Sequence, residues 1–260
     1  MAVLGIITCQ ILELEFAHLL ANDPEVSMIS IIRDKHSQEL SKALEFMANV
    51  RPKSLASVTE YAPKSSNGLE VIVRVMKVGL HSVIQDLRNG VRLAAIAMEP
   101  YVDAILLGYG LCGNALKDHE RLLPASVVPV ILPMDGEHPV DDCVGLIIGG
   151  RENYYEEQCR VAGTMFITSG FSRHWKTLLH EGRTVETHGL VMMKRLMASY
   201  ERSLLLPTVV ATEHELATGS QEFSKIYGLR TEVRPGTLDV LENAWNSAKQ
   251  LVRGIDLSAK

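Results

Sequence analysis

Short runs of β-branched and other apolar residues alternate along the chain with longer stretches whose apolar positions recur at helical spacing. Residues 3–8 predict a first strand, and 11–20 an amphipathic helix stopped by Asn22-Asp23-Pro24. A second strand is expected at 28–32 and a helix at 39–47. Valines crowd residues 71–78 and favour a third strand over a helix there. Ser82 is read as the N-cap of a helix reaching Met98. Strands at 104–107 and 127–132 follow, then a loop over 133–142 and a helix beginning near Cys143. Residues 164–168 read as a strand turning at Ser169-Gly170. The stretch 175–200 is helical in pattern, with interruptions at Gly182 and Gly189. Residues 204–211 and 229–233 supply two last strands, and 238–252 a closing helix.

Strands separated by helices of roughly 10–15 residues indicate βαβ units. The expectation is therefore an α/β fold, a mostly parallel sheet with helices on both faces in Rossmann-like layers, forming one domain over residues 1–260. Two similar lobes meeting at one edge are compatible with the same pattern, and no repeat of fixed period is present. The polar stretch after residue 47, running to Asn67-Gly68, is the best linker candidate.

Composition narrows the function classes. With 47% hydrophobic residues, wholesale disorder is excluded. A formal net charge of −5 and no run of Lys or Arg argue against nucleic-acid binding, which needs a basic face. The apolar N-terminus has no basic region and runs into Glu13 and Glu15, so it reads as a buried strand and not as a signal peptide. No apolar run approaches the ~20 residues of a membrane span. The four cysteines are then expected to be reduced thiols of a cytoplasmic protein, available for metal binding or catalysis.

Three of these cysteines fall where strands end. Cys9 follows the first strand, Cys112 lies in the Gly-rich turn after Leu107, and Cys143 sits where a loop becomes a helix. In a parallel sheet all carboxyl ends share one edge, where ligands bind, so the three thiols can converge on one pocket as metal ligands. Cys112 and Cys143 precede helical patterns, and a helix N-terminus stabilises a thiolate. Gly108, Gly110 and Gly113 permit close backbone approach to a bound group, making Gly108, Tyr109, Gly110, Gly113 and Asn114 candidate cofactor-binding positions. His81, after the third strand, occupies the same edge as a fourth ligand or an acid/base. A single buried cysteine is commonly an inert core residue; three at strand ends are not read that way. Cys159, inside a helical pattern, is taken as structural. No Cys-x-x-Cys pair exists, which excludes zinc-ribbon and thioredoxin-like readings.

Weaker candidates surround this set. Residues 108–113 have the spacing of a dinucleotide fingerprint, with Asp135 about twenty residues on, but the segment after Asn114 is too short and charged for the helix that must follow. Asp141-Asp142 can hold a metal or proton, or simply cap a helix, and Asp142 is carried as a catalytic candidate. Arg151 is another, as an anchor for an anionic substrate. Arg173 or His174 can reach the same pocket, although surface placement is the safer expectation. His180 and His188 are poorly spaced for a metal pair, and Glu213-His214 is a remote extra.

From Gly79 onward, in residues 103–114 with their specific string Gly108-Tyr109-Gly110-Leu111-Cys112-Gly113-Asn114, in Asp142-Cys143 with residues 146–154, and in 166–170, the chain resembles the bacterial and archaeal family called domain of unknown function 1638. The start through Cys9 and residues 204–208 are also similar, and residues 34–68 look like an insertion. The resemblance implies cysteines at positions matching Cys9, Cys112 and Cys143, but no reaction. Some members occur in organisms with corrinoid-dependent one-carbon metabolism, which makes a corrinoid protein a candidate partner.

Three thiolates with one open position suit an iron–sulfur (4Fe-4S) cluster acting on a small molecule, in lyase, sulfur-transfer or one-carbon chemistry. They also suit zinc completed by His81 or water, in a zinc–thiolate enzyme or an accessory of methyl transfer. Widely separated ligands favour the cluster. A non-enzymatic metal or cofactor carrier and a metal-free thiol enzyme using Cys112 are the other readings. A homodimer sharing the 34–68 insertion is a further expectation.

Overall fold

The computed structural model describes residues 2–64, 68–123, 128–180 and 193–258. β1 (Ala2–Cys9) is buried along its whole length because it is central, pairing in parallel with β4 (Leu69–Met76) on one side and β5 (Ala104–Gly108) on the other. Strands covered on both faces read as continuous apolar runs, as this one does. β2 (Val26–Ile32), β3 (Lys53–Leu55) and β6 (Val130–Ile131) complete an all-parallel sheet ordered β3-β2-β4-β1-β5-β6. Along β1, Leu4 and Ile6 face α1 (Glu13–Asn22) and α2 (Gln38–Met47), whereas Val3, Ile7 and Cys9 face α3 (Ile84–Met98). The crossover leaving β1 through α1 and the one leaving β4 through α3 thus run over opposite faces and in opposite directions. Such a switch point opens a crevice at the carboxyl ends of the two strands.

After β6 come a small hairpin, β7 (Met134–Asp135) and β8 (His138–Pro139), then α4 (Cys143–Ile148) and α5 (Arg151–Arg160). A second, smaller parallel sheet follows, ordered β11-β10-β9: β9 (Thr164–Ile167), α6 (Ser169–His180), β10 (Arg202–Leu205), α7 (Glu213–Tyr227) and β11 (Arg230–Val233). One face of this sheet packs on Phe171 and Trp175 of α6 and Leu216 and Phe223 of α7. From its other side Phe166, Leu204 and Leu206 enter the core of the first sheet. The closing helix α8 (Asp239–Ser258) seals that shared core by returning to β1 and β5. Trp245 Nε1 and Lys249 Nζ donate to Asp23 Oδ2 at 2.8 and 2.5 Å, fixing α8 to the end of α1. The fold is α/β with parallel sheets in layers, as the pattern predicts.

Several boundaries differ from expectation for identifiable reasons. Gly79, with φ 86°, turns the chain into a short 3-10 turn (Leu80–Ser82), so Val83 and not Ser82 takes the cap position of α3. β10 ends at Leu205, because Pro207 cannot extend the ladder and Thr208 and Ala211 close a turn. The expected linker is partly built into the sheet as β3. Its Tyr61 hydroxyl and Lys64 N–H satisfy the buried Glu70 carboxylate on β4, at 2.6 and 2.8 Å. Val127, Asn67 and the interruptions expected at Gly182 and Gly189 lie outside the described residues. Among the described residues, no helix is long and apolar enough to cross a membrane.

Candidate metal centre and its cleft

The loop after β5 is laid along the segment before α4. The N–H groups of Leu111 and Cys112 donate to the carbonyls of Val140 and Asp141, each at 2.8 Å. Gly110 makes this approach feasible, since a Cβ there would lie 2.6 Å from the Asp142 backbone. Cys112 ends the pairing with φ 47°, followed by Gly113 at 67° and Asn114 at 65°. For a residue with a Cβ the left-handed region costs roughly 1–2 kcal/mol, and such strain concentrates at functional sites. Asp142 then caps α4, its Oδ1 accepting from the N–H groups of Val144 at 2.8 Å and Gly145 at 3.4 Å. Cys143 is left at the first helical position, beside Cys112.

Cys9, Cys112 and Cys143 all pack in the side-chain cluster on the α3 side of the sheet. Burial pushes the thiols of Cys9 and Cys112 up to about 12 and that of Cys143 well above its ordinary value. Their mutual proximity adds to this: Cys9 and Asp142 raise Cys112, and Asp142, Cys112 and Cys9 raise Cys143. The thiolate stabilisation expected from helix N-termini is therefore overridden by burial at Cys143. At Cys112 it has no source, because the chain continues in turns up to a 3-10 turn at His119–Arg121. The same absence of a helix removes the dinucleotide reading of residues 108–113. Tyr109 is 4% exposed, its phenol is raised by burial and by all three cysteines, and its hydroxyl has no hydrogen-bond partner among the described residues. An orphaned donor thus sits within the thiol cluster. Among the described residues no three His, Cys, Asp or Glu side chains stand in a coordinating arrangement. The thiols are neighbours held by backbone pairing.

Beside Cys143 a cleft of about 390 Å³ opens between the two sheets. Cys143, Asp142 and His81 lie on one side, and Thr164, Phe166 and Thr168 on the other. Tyr154 bridges the two, donating to Asp142 Oδ2 at 3.0 Å while its ring meets Phe166 at 5.0 Å. Burial raises the Asp142 carboxyl, against the opposing hydrogen bonds from Tyr154 and the α4 backbone. His81 sits at the exposed rim, where partial enclosure lowers its pKa against the pull of Asp142.

The family described as "Protein of unknown function (DUF1638)" matches residues 75–245. The chain belongs to this family. No curated protein and no solved structure matches it. The DUF1638 match contains His81, Cys112, Asp142 and Cys143, while Cys9 and strands β1 to β3 precede it.

The other candidates of this DUF1638 protein are dispersed. Arg151 does not line the cleft; its guanidinium turns to Asp141 at 3.6 Å and to the ring of Tyr155. Gly113 and Asn114 are exposed, and Gly108 is packed against Thr8 and Phe16. Cys159 is exposed on α5. Arg173 is exposed on α6, and Glu213 and His214 are exposed at the start of α7. His188 and the side chain of His180 lie outside the described residues.

Sequence reasoning missed the junction behind Cys9. Glu13 and Glu15 of α1 are each 1% exposed. His174 Nε2 lies 2.6 Å from Glu13 Oε1, and the Ser169 hydroxyl donates to Glu15 Oε1 at 2.5 Å. The signal was two acids inside an apolar helical pattern, which a solvated face does not place there. Burial raises Glu15 to about 7. A carboxyl raised in the folded state binds its proton more tightly than in the unfolded chain. Its favourable contribution is complete below about 4.5 and is lost as pH rises through about 7. Glu15→Gln keeps the acceptor for Ser169 and removes the ionisation. We expect it to stabilise the protein by roughly 2–3 kcal/mol at pH 8 and by almost nothing at pH 4.5. Urea unfolding at the two pH values checks this, and equal effects at both would refute it.

Proposed function

We propose that this protein is a metal-dependent enzyme in which Cys9, Cys112 and Cys143 hold an iron–sulfur cluster with one open position, next to a cleft for a small molecule. The observation that carries the reading is the gathering of three thiols, Cys9 buried and Cys112 and Cys143 half-buried, around the buried Tyr109, whose hydroxyl has no partner among the described residues. Buried thiols without a cation stay protonated, and a soft metal supplies the positive charge that makes three thiolates tolerable there. A cluster so held would supply Lewis acidity at its open iron, in lyase or in sulfur or one-carbon transfer chemistry. The chain's own residues have separate tasks. Asp142 and Tyr154 form a hydrogen-bonded pair that fixes α4 and Cys143, and His81 at the rim, its pKa lowered by partial enclosure, is placed to exchange a proton with a bound molecule. The Tyr109 hydroxyl is available to donate to a bound sulfur. The cleft beside Cys143 favours an enzyme over a carrier, which needs no substrate pocket.

A zinc–thiolate centre is the second reading, favoured by His81 sharing the cleft with Cys143. Anaerobic purification with analysis of iron, sulfide and zinc separates the two. About four irons with matching sulfide per chain is the result expected for the cluster. Stoichiometric zinc would transfer the argument to the second reading, and a metal-free protein that turns over substrate would refute both.

A further inference from the structure

The lining of the cleft restricts what it can hold. Among the described residues it contains one carboxylate, Asp142, one imidazole, His81 at the rim, whose pKa partial enclosure lowers, and no lysine or arginine side chain. Arg151, the cation best placed in sequence to meet an anion, is engaged with Asp141 and Tyr155 outside it. An anionic ligand would lose its hydration beside Asp142 with no permanent cation in the lining to replace it. The walls instead present aromatic rings: Tyr154 and Phe166, 5.0 Å apart at 56°, with Phe171 and Tyr200. Ring faces attract cations, most strongly where water is excluded. At about 390 Å³ the cleft is at the small end of ligand pockets, which run to ~1,000 Å³.

We propose that this cleft binds a small alkylated organic cation and holds it against Cys143. That the cation is the substrate rests on the metal-centre reading above; that the cleft binds it does not. Charge and ring chemistry act together here. Asp142 Oδ1 accepts from the α4 backbone and Oδ2 from Tyr154, so its carboxyl group is held in one place on the cleft wall.

The test is calorimetric titration of the full chain, as purified, with three probes of similar size and different charge: tetramethylammonium, tert-butanol and pivalate. Metal content is measured on the same sample. Tetramethylammonium should bind about tenfold or more tightly than tert-butanol, with pivalate weakest. Phe166→Leu, which keeps apolar volume, and Asp142→Asn, which keeps a helix-capping side chain, should each reduce that preference several-fold with circular dichroism unchanged. Pivalate binding as tightly as the cation, or no binding of any probe, would overturn the proposal. A cation preference in a sample without metal supports the cleft and counts against the metal centre. Metal without a cation preference does the reverse.

Discussion

Replacing Cys9, Cys112 or Cys143 singly by serine is expected to reduce bound metal from near-stoichiometric to below roughly a tenth, while Cys159→Ser retains it. The asymmetry follows from position. Cys159 is exposed on α5, whereas each of the other three is fixed by a different device. Cys9 closes the central strand, Cys112 is held in a left-handed backbone by the pairing of residues 111–112 with 140–141, and Cys143 opens α4 behind its Asp142 cap. Because these devices are backbone features, serine should preserve the fold, and circular dichroism of each variant should match the parent. Tyr109→Phe adds a finer readout. Without metal, deleting an unsatisfied buried hydroxyl should leave stability unchanged or raise it by about 1 kcal/mol. With metal, losing a donor to sulfur should weaken retention or shift the redox potential. Loss of metal in Cys159→Ser alone, or full retention in the three serine variants, would remove the cysteine cluster from consideration.

The convergence of those cysteines was legible because a parallel sheet puts every strand's carboxyl end on one edge, and β1 and β5 are apolar enough to be recognised as strands. His81 and Asp142 were legible for the same reason, each lying just beyond such an end or at a helix start. What could not be read is direction. Arg151 follows Gly149 and Gly150, whose φ values of 88° and 100° swing the start of α5 toward the β7–β8 hairpin and away from the cleft. The cleft's far side was equally hidden. Thr164 and Phe166 come from β9 of the smaller sheet and Thr168 follows it, and their meeting with Cys143 depends on packing between sheets, which leaves no periodic trace in sequence. Gly170 is a local sign of that packing in retrospect. Any Cβ on it would strike the Ile11 backbone, so α6 can start only where it touches the turn after Cys9. Edge strand β3 escaped notice because it is three residues long and mostly exposed.

Arg202→Met is expected to destabilise the protein by about 3–5 kcal/mol at neutral pH, without changing its metal content. Arg202 opens β10, the middle strand of the smaller sheet, and its side chain is fully buried. Nε donates to Thr164 Oγ1 at 2.8 Å, Nη1 to Glu232 Oε2 at 2.6 Å, and Nη2 to the Glu157 carbonyl at 3.0 Å and carboxylate at 2.5 Å. One guanidinium thus ties β9, β10, β11 and α5 together. Methionine fills much of the volume but leaves Glu157, 4% exposed along its side chain, with Arg234 at 2.7 Å and the more exposed Arg160 at 3.6 Å, both on Oε1, while Oε2 loses its cation. Both carboxylates are held below their ordinary range, Glu157 by Arg234 and Arg202 against the opposing effect of burial, and Glu232 at about 2 by Arg230 and Arg202. A depressed carboxyl contributes stability above its unfolded value of 4.5, and that contribution is lost as pH falls toward the folded value. The gap between parent and variant should therefore be widest near pH 7 and narrow toward pH 3, as read from denaturant midpoints. A double variant, Arg202→Met with Glu157→Gln, should recover part of the loss, since the cost lies mainly in the stranded charge and not in the missing bonds. A gap independent of pH, with no recovery in the double variant, would mean that Arg202 acts by filling space alone.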